Sequence, residues 1–143
     1  MTTVVYNHET KEIGIDSRLT MGNFIESDDY IKMIEKEDLK FFLCGDLADS
    51  QMLARCYPNN IEYEIGSSAY GFLVQDGIVK YIYTEGLIIK ELIQTNSSAV
   101  GSGFQFAISA LDLGKSTKEA LEYAMTRDNG SGGKIRIYNV EEL

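Results

Sequence analysis

The stretch Thr2-Thr3-Val4-Val5-Tyr6-Asn7-His8-Glu9-Thr10-Lys11-Glu12-Ile13-Gly14-Ile15-Asp16-Ser17-Arg18 opens the chain and frames its reading. Residues 2–7 are mostly β-branched or aromatic, a composition that suits a pleated strand. His8 to Lys11 makes a turn, and residues 12–16 return as a second strand, so a hairpin is expected. Taken alone, Thr2 is an ordinary strand starter and Asp16 a solvated aspartate ahead of a turn. His8, the only histidine, falls on the turn, which leaves no Ser-His-Asp or Cys-His arrangement.

Beyond this hairpin, Phe24-Ile25 and Tyr30 to Ile34 are short strand candidates, and Phe41 to Cys44 is an apolar run typical of a buried strand. Ala48 to Cys56 reads as a helix, with Asp46 or Asp49 available to cap its first amides. Tyr70 to Val74, Ile78 to Tyr83 and Leu87 to Leu92 read as strands, the first two joined by the tight turn Gln75-Asp76-Gly77. Asn96 to Gly103 is a Gly/Ser-rich cluster. Two helices follow, Gly103 to Leu113 with a stop at Gly114, and one that starts at the capping box Ser116-x-x-Glu119 and ends near Arg127. Lys134 to Val140 alternates and closes the chain as a strand. This order of strands, short helix, strands, paired helices and strand is an α+β pattern. A four-layer αββα sandwich, with two antiparallel sheets between helices, fits it.

The bulk properties narrow the function. At 143 residues the chain is expected to be one domain, residues 1–143, with a sizeable core. A formal net charge of −9 argues against a sequence-independent grip on nucleic acid, which needs a basic face, and against an anionic membrane surface. No apolar run is long enough to span a bilayer and no cleavable basic-apolar leader is seen, so a cytoplasmic protein is expected. Cys44 and Cys56 are too few for a disulfide scaffold and show no metal spacing. Without GxGxxG or GxxxxGK[ST], no phosphate-cradling loop and no built-in ATPase is expected. Neither a cofactor nor a metal is called for.

Six pieces stand in order along the chain: Thr2-Thr3; Asp16-Ser17-Arg18, followed by Thr20 and Gly22; Lys32; Cys44-Gly45 ahead of a helix; Gly101-Ser102-Gly103; and Asp128-x-x-Ser131-Gly132-Gly133. Each is common alone. Together, in this order and at this spacing, they resemble the proteasome β-subunit and HslV peptidase family of N-terminal nucleophile (Ntn) hydrolases. The resemblance runs from end to end and is greatest to short proteasome-like proteins of phage and bacterial genomes. The chain departs from the family in a shortened helix after Gly45 and an opening hairpin about two residues tighter.

That resemblance implies a threonine-type peptidase or amide hydrolase. Removal of Met1 would free the Thr2 amine, so that one residue supplies both nucleophile and base. It implies that Lys32 points at the Thr2 hydroxyl, although Lys36 is a local rival and a lysine between Tyr30 and Ile34 is equally suited to reach outward to solvent. Asp16 would hold Lys32, and Arg18 would brace the turn. Gly45 would offer its N–H to an oxyanion. Ser102, otherwise a helix cap, would bond the terminal amine and relay protons, and Asp128 and Ser131 would anchor that amine. Cys44 reads as a small buried residue rather than a second nucleophile. Thr20, Met21 and the segment from Gly45 to Asp49 would line the substrate pocket. The implied partners are a peptide or unfolded-protein substrate, further copies in a homo-oligomeric ring, and a separate ATP-dependent unfoldase for folded substrates. The alternative is a ring-forming or interaction subunit that keeps the fold without the activity.

Overall fold

The computed structural model describes residues 1–64 and 69–143. β1 (Thr3–Asn7) and β2 (Glu12–Ile15) form the expected hairpin, with Val4 opposite Ile15 and Tyr6 opposite Ile13. β3 (Leu19–Met21) and β4 (Phe24–Ser27) make a separate two-stranded hairpin. β5 (Ile34–Lys36) and β6 (Leu39–Gly45) lead into α1 (Leu47–Cys56). β7 (Ala69–Gln75), β8 (Ile78–Glu85) and β9 (Ile88–Ile93) form a meander. β10 (Ser98–Gly101) precedes α2 (Phe104–Asp112) and α3 (Thr117–Arg127). β11 (Arg136–Asn139) runs into a 3-10 turn at Val140–Glu142. Among the described residues the fold is mixed, with three α-helices and antiparallel sheets of order β10-β1-β2-β11 and β5-β6-β7-β8-β9 beside the β3-β4 pair. Among the described residues no helix is long and apolar enough to cross a membrane.

Local chemistry explains the boundaries. Asp76 and Gly77 both take positive φ, 52° and 75°, as the two-residue turn joining twisted strands requires. Of the two capping candidates for α1 it is Asp46 that accepts the Asp49 N–H, at 3.0 Å. The box on α3 is complete: Ser116 Oγ accepts from the Glu119 N–H at 3.1 Å, and Glu119 accepts from the Ser116 N–H at 3.0 Å.

Three apolar zones hold these elements together. Val4, Tyr6, Ile13 and Ile15 of one sheet meet Phe42, Phe72, Val74 and Val79 of the other. Val5 and Ala99, on the opposite face of the first sheet, pack against Ala107, Ala120, Leu121 and Ala124 of α2 and α3. Phe41, Leu43, Leu73 and Ile82, on the far face of the second sheet, pack against Met52 and Leu53 of α1. Period-two alternation along β1 and β6 therefore feeds two zones each.

Some expectations need correction. Tyr30 to Met33 is not strand, and pairing begins only at Ile34. The Tyr30 N–H donates to Ser17 O at 3.0 Å, so this segment runs along a loop and no ladder forms. Ser98–Gly101, read as part of a Gly/Ser-rich cluster, is the edge strand β10, because Ala99 and Val100 pair with Val5 and Val4. Leu19–Met21 is a strand that no propensity marked. The last strand is confined to Arg136–Asn139, since Asn139 caps the turn after it.

Phe72 has no exposed surface and touches the rings of Tyr6 and Tyr81. Phe72→Ala is expected to cost about 3–5 kcal/mol in guanidinium denaturation, as for other buried aromatic truncations. A loss under about 1 kcal/mol would mean that the sheets do not pack here.

Candidate active site

Thr2 sits one residue ahead of β1 and is held from its carbonyl side. Its carbonyl accepts the Ser102 N–H at 2.8 Å, next to the Thr3–Gly101 pair at the end of β1 and β10. Gly101 has φ +99°, and a Cβ there would stand 1.9 Å from the Thr2 carbonyl oxygen. Only a residue without a side chain closes this pair, and the closure fixes where Thr2 lies.

Asp16 follows β2 and is fully buried. Its Oδ1 accepts the Thr3 N–H at 3.1 Å and its Oδ2 accepts the Gly132 N–H at 2.9 Å, with the Arg18 N–H farther off at 3.3 Å. Lys32 completes the shell, its Nζ 3.0 Å from Asp16 Oδ1. The same ammonium donates to Thr2 Oγ1 at 3.0 Å and to the Met1 carbonyl at 2.9 Å. Thr2 is 6% exposed and Lys32 9%, so the charges meet away from bulk water. Burial pulls the Lys32 ammonium below the ordinary lysine range, against the opposing attraction of Asp16. Lys36 is engaged elsewhere, donating to the carbonyls of Arg55 and Tyr57.

A second polar cluster flanks the first. Ser102 Oγ donates to Asp128 Oδ2 at 2.5 Å, Ser131 Oγ donates to the same oxygen at 2.7 Å, and the Gly130 N–H reaches Asp128 Oδ1 at 3.1 Å. Burial works against ionisation of Asp128, yet these bonds together hold its carboxyl below the usual carboxylate range. Ser131 Oγ also meets Thr3 Oγ1 at 2.7 Å. The cluster reaches Thr2 through the Ser102 backbone N–H and a 3.4 Å contact from Ser102 Oγ to the Thr2 carbonyl.

Gly45 ends β6 with φ +105° and borders two cavities that also touch Thr2. One, shared with Ser102 and Tyr70, has a volume of about 250 Å³. The other, of about 330 Å³, runs between Thr20, Met21, Tyr30, Asp46 and Leu47. Cys44 is buried, donates to the Tyr70 carbonyl, and has its thiol pushed up to about 12, chiefly by burial. It is an unreactive packing residue. Arg18 bonds Asp28 through Nε at 2.8 Å and the Asn129 carbonyl through a terminal nitrogen at 3.0 Å, bracing the turn after Asp16. Among the described residues no group of three or more His, Cys, Asp or Glu could hold a metal ion.

All seven sequence candidates thus lie around one centre, with Lys32 in direct contact with both Thr2 and Asp16, and Gly45, Ser102, Asp128 and Ser131 around them. Sequence reasoning counted Thr3 in the opening pair but gave it no role, and so missed its hydroxyl as a partner of Ser131. It also missed Met1 as a partner of Lys32.

Asp16→Asn leaves the buried Lys32 ammonium without its counter-charge. Breaking a buried pair from one side typically costs about 3–5 kcal/mol, and a loss of that size is expected in urea denaturation near pH 7. A near-neutral variant would show that the ammonium finds water instead.

No family model matches the chain, and no curated protein matches it. Solved structures do. Thiobacillus denitrificans BPH in complex with epoxomicin superposes with a TM-score of 0.73 at 15% identity, over 96% of this chain and 97% of that one. A second Thiobacillus denitrificans BPH structure gives 0.67 at 15% identity, over 96% and 95%. Eukaryotic HslV from Trypanosoma brucei gives 0.72 at 17% identity, over 96% and 98%. Along nearly its whole length the chain is therefore folded like HslV and proteasome-like structures.

Proposed function

We propose that the chain is a single Ntn-hydrolase domain, residues 1–143, and a threonine-type peptide or amide hydrolase that acts through Thr2 once residue 1 is removed. One observation carries the reading. The Lys32 ammonium stands 3.0 Å from both Thr2 Oγ1 and Asp16 Oδ1, buried with them. The three apolar zones agree with a four-layer αββα order. The epoxomicin complex of the BPH neighbour and the HslV-like fold agree with peptide substrates. Ring assembly from further copies, a separate ATP-dependent unfoldase and a cytoplasmic setting complete the reading.

While Met1 is attached, the Thr2 nitrogen is an amide and has no basic lone pair. Its release creates an α-amine whose ordinary pKa is about 7.7–8.0. The neutral amine accepts the hydroxyl proton as Thr2 Oγ1 attacks a substrate carbonyl carbon. Lys32 stabilises the developing alkoxide, Asp16 keeps Lys32 charged and aimed, and the Gly45 N–H receives the tetrahedral oxyanion. The leaving amine takes the proton back, and water then hydrolyses the Thr2 ester. Ser102, Asp128 and Ser131 steady the new amine and pass its proton.

A second reading, an interaction subunit without turnover, is favoured by the seating of Met1. Its side chain fills the space over Gly130, where an added Cβ would come within 2.6 Å of it, and its carbonyl takes a donor from Lys32.

Intact-mass analysis of protein made with active methionine aminopeptidase is expected to show loss of Met1. Epoxomicin is then expected to add one equivalent of mass, and Thr2→Ala to abolish both the adduct and peptide turnover. Processed protein that takes no adduct, under conditions in which BPH binds epoxomicin, would remove the hydrolase reading in favour of the second one.

The sign of the pH dependence follows from the two groups. The amine must be neutral, so activity rises with pH through its pKa, ordinarily about 7.7–8.0. Lys32 must be charged, so activity falls at a pH below the 10.5 of an ordinary lysine. A kcat/KM profile without the acid limb would argue against the amine as base.

A further inference from the structure

The cavity of about 330 Å³ beside Thr2 has an uneven distribution of charge. Its apolar wall includes Tyr30, Ile34, Leu43 and Leu47, and two carboxylates border it, Glu26 from β4 and Asp46 at the start of α1. Lys32 is the one cationic side chain in the lining, and its three donors are committed to Asp16, Thr2 and the Met1 carbonyl; the Met1 terminal ammonium, 3.5 Å from Thr20 Oγ1, departs with residue 1 on the proposed reading. Within that buried pair Asp16 offsets the Lys32 charge, so no cationic side chain of the lining is left to balance the two carboxylates once residue 1 is gone. They are not equivalent. Asp46 caps α1 through the Asp49 N–H, and the positive end of the helix partly offsets its charge. Glu26 sits on an exposed hairpin strand and has no hydrogen-bond or ion-pair partner among the described residues.

We infer that this cavity selects a cationic side chain, lysine or arginine, on the substrate residue whose carbonyl faces Thr2, and that Glu26 is its specificity-determining residue. The inference rests on the reading of Thr2 as nucleophile and names the substrate class for it. A lysine or arginine stem is aliphatic and suits the leucine and isoleucine wall, while the charged head stays at the wet rim. An acidic side chain entering the same space meets two like charges. The net charge of −9 biases encounter the same way.

The test uses processed protein and peptides that differ only at the residue before the scissile bond: lysine, its uncharged analogue norleucine, or glutamate. Lysine is expected to exceed norleucine by roughly fivefold in kcat/KM, as a partly exposed ion pair allows, and glutamate to be the poorest. Glu26→Gln is expected to remove most of the lysine-to-norleucine ratio, Glu26→Lys to invert it, and high salt to shrink it. In parallel, Nα-acetyl-lysine amide and Nα-acetyl-norleucine amide are titrated against the intact chain by amide NMR. Larger shifts at Gly45 and Leu47 for the lysine compound, weakened by Glu26→Gln, are expected. Thr2-dependent turnover with no lysine preference, or with a preference that survives Glu26→Gln, overturns the inference and leaves the hydrolase reading standing. Selective lysine shifts without any turnover sustain the cavity assignment and remove the hydrolase reading instead.

Discussion

The desolvated carboxylate of Asp16 is the constraint on which the rest of this structure depends. An isolated ionised carboxyl with no exposed surface is untenable, and a single ammonium would be poor compensation. Here the compensation is spread over Lys32 and the backbone amides of Thr3, Arg18 and Gly132. Those four donors come from the start of β1, the turn after β2, the loop before β5 and the loop before β11. Ordering one side chain therefore ties together four parts of the chain that lie far apart in sequence. Every buried side-chain polar atom among the described residues finds a partner, as a folded state with so many buried polar groups requires.

The sheets explain how this cluster is held rigid. Tyr6, Ile13 and Ile15 anchor the first hairpin against Phe42 and Phe72, so neither Thr2 nor Asp16 can shift without disturbing the space between the sheets. The close approach at Gly101 removes the remaining freedom of the Thr2 carbonyl. The loop that carries Lys32 has no ladder of its own and takes its course from contacts such as that of Tyr30 with Ser17. Chemistry rests on the irregular parts of the chain, and packing on the regular ones.

This division also explains what could be read beforehand. The first hairpin, the Asp76-Gly77 turn and both termini of α3 follow from local rules, and the structure shows them where local chemistry puts them. The candidate residues were legible only as an ordered set, since a threonine before a strand or an aspartate before a serine has no distinctive composition. β10 was hidden because Ser98 and Gly101 are poor strand formers, and only pairing with β1 makes them one. The strand expected at Tyr30 to Ile34 failed for the converse reason: favourable residues had no neighbouring strand to bond. The burial of Lys32 depends on Asp16 arriving from another part of the chain, which no local pattern records.

The bond between Lys32 and the Met1 carbonyl has a consequence for the order of events in the life of the protein. The acceptor belongs to the main chain, so any residue joined to Thr2 through a peptide bond could supply it, and the buried ammonium is saturated while such a residue is attached. On the proposed reading, in which residue 1 is removed, assembly of the centre and liberation of the terminus are separable steps, because the charged contacts are complete while Met1 is attached. The bare surface of Gly130 lies under the side chain that precedes Thr2, so that glycine, rather than the charged centre, bears on tolerance for a different leading residue.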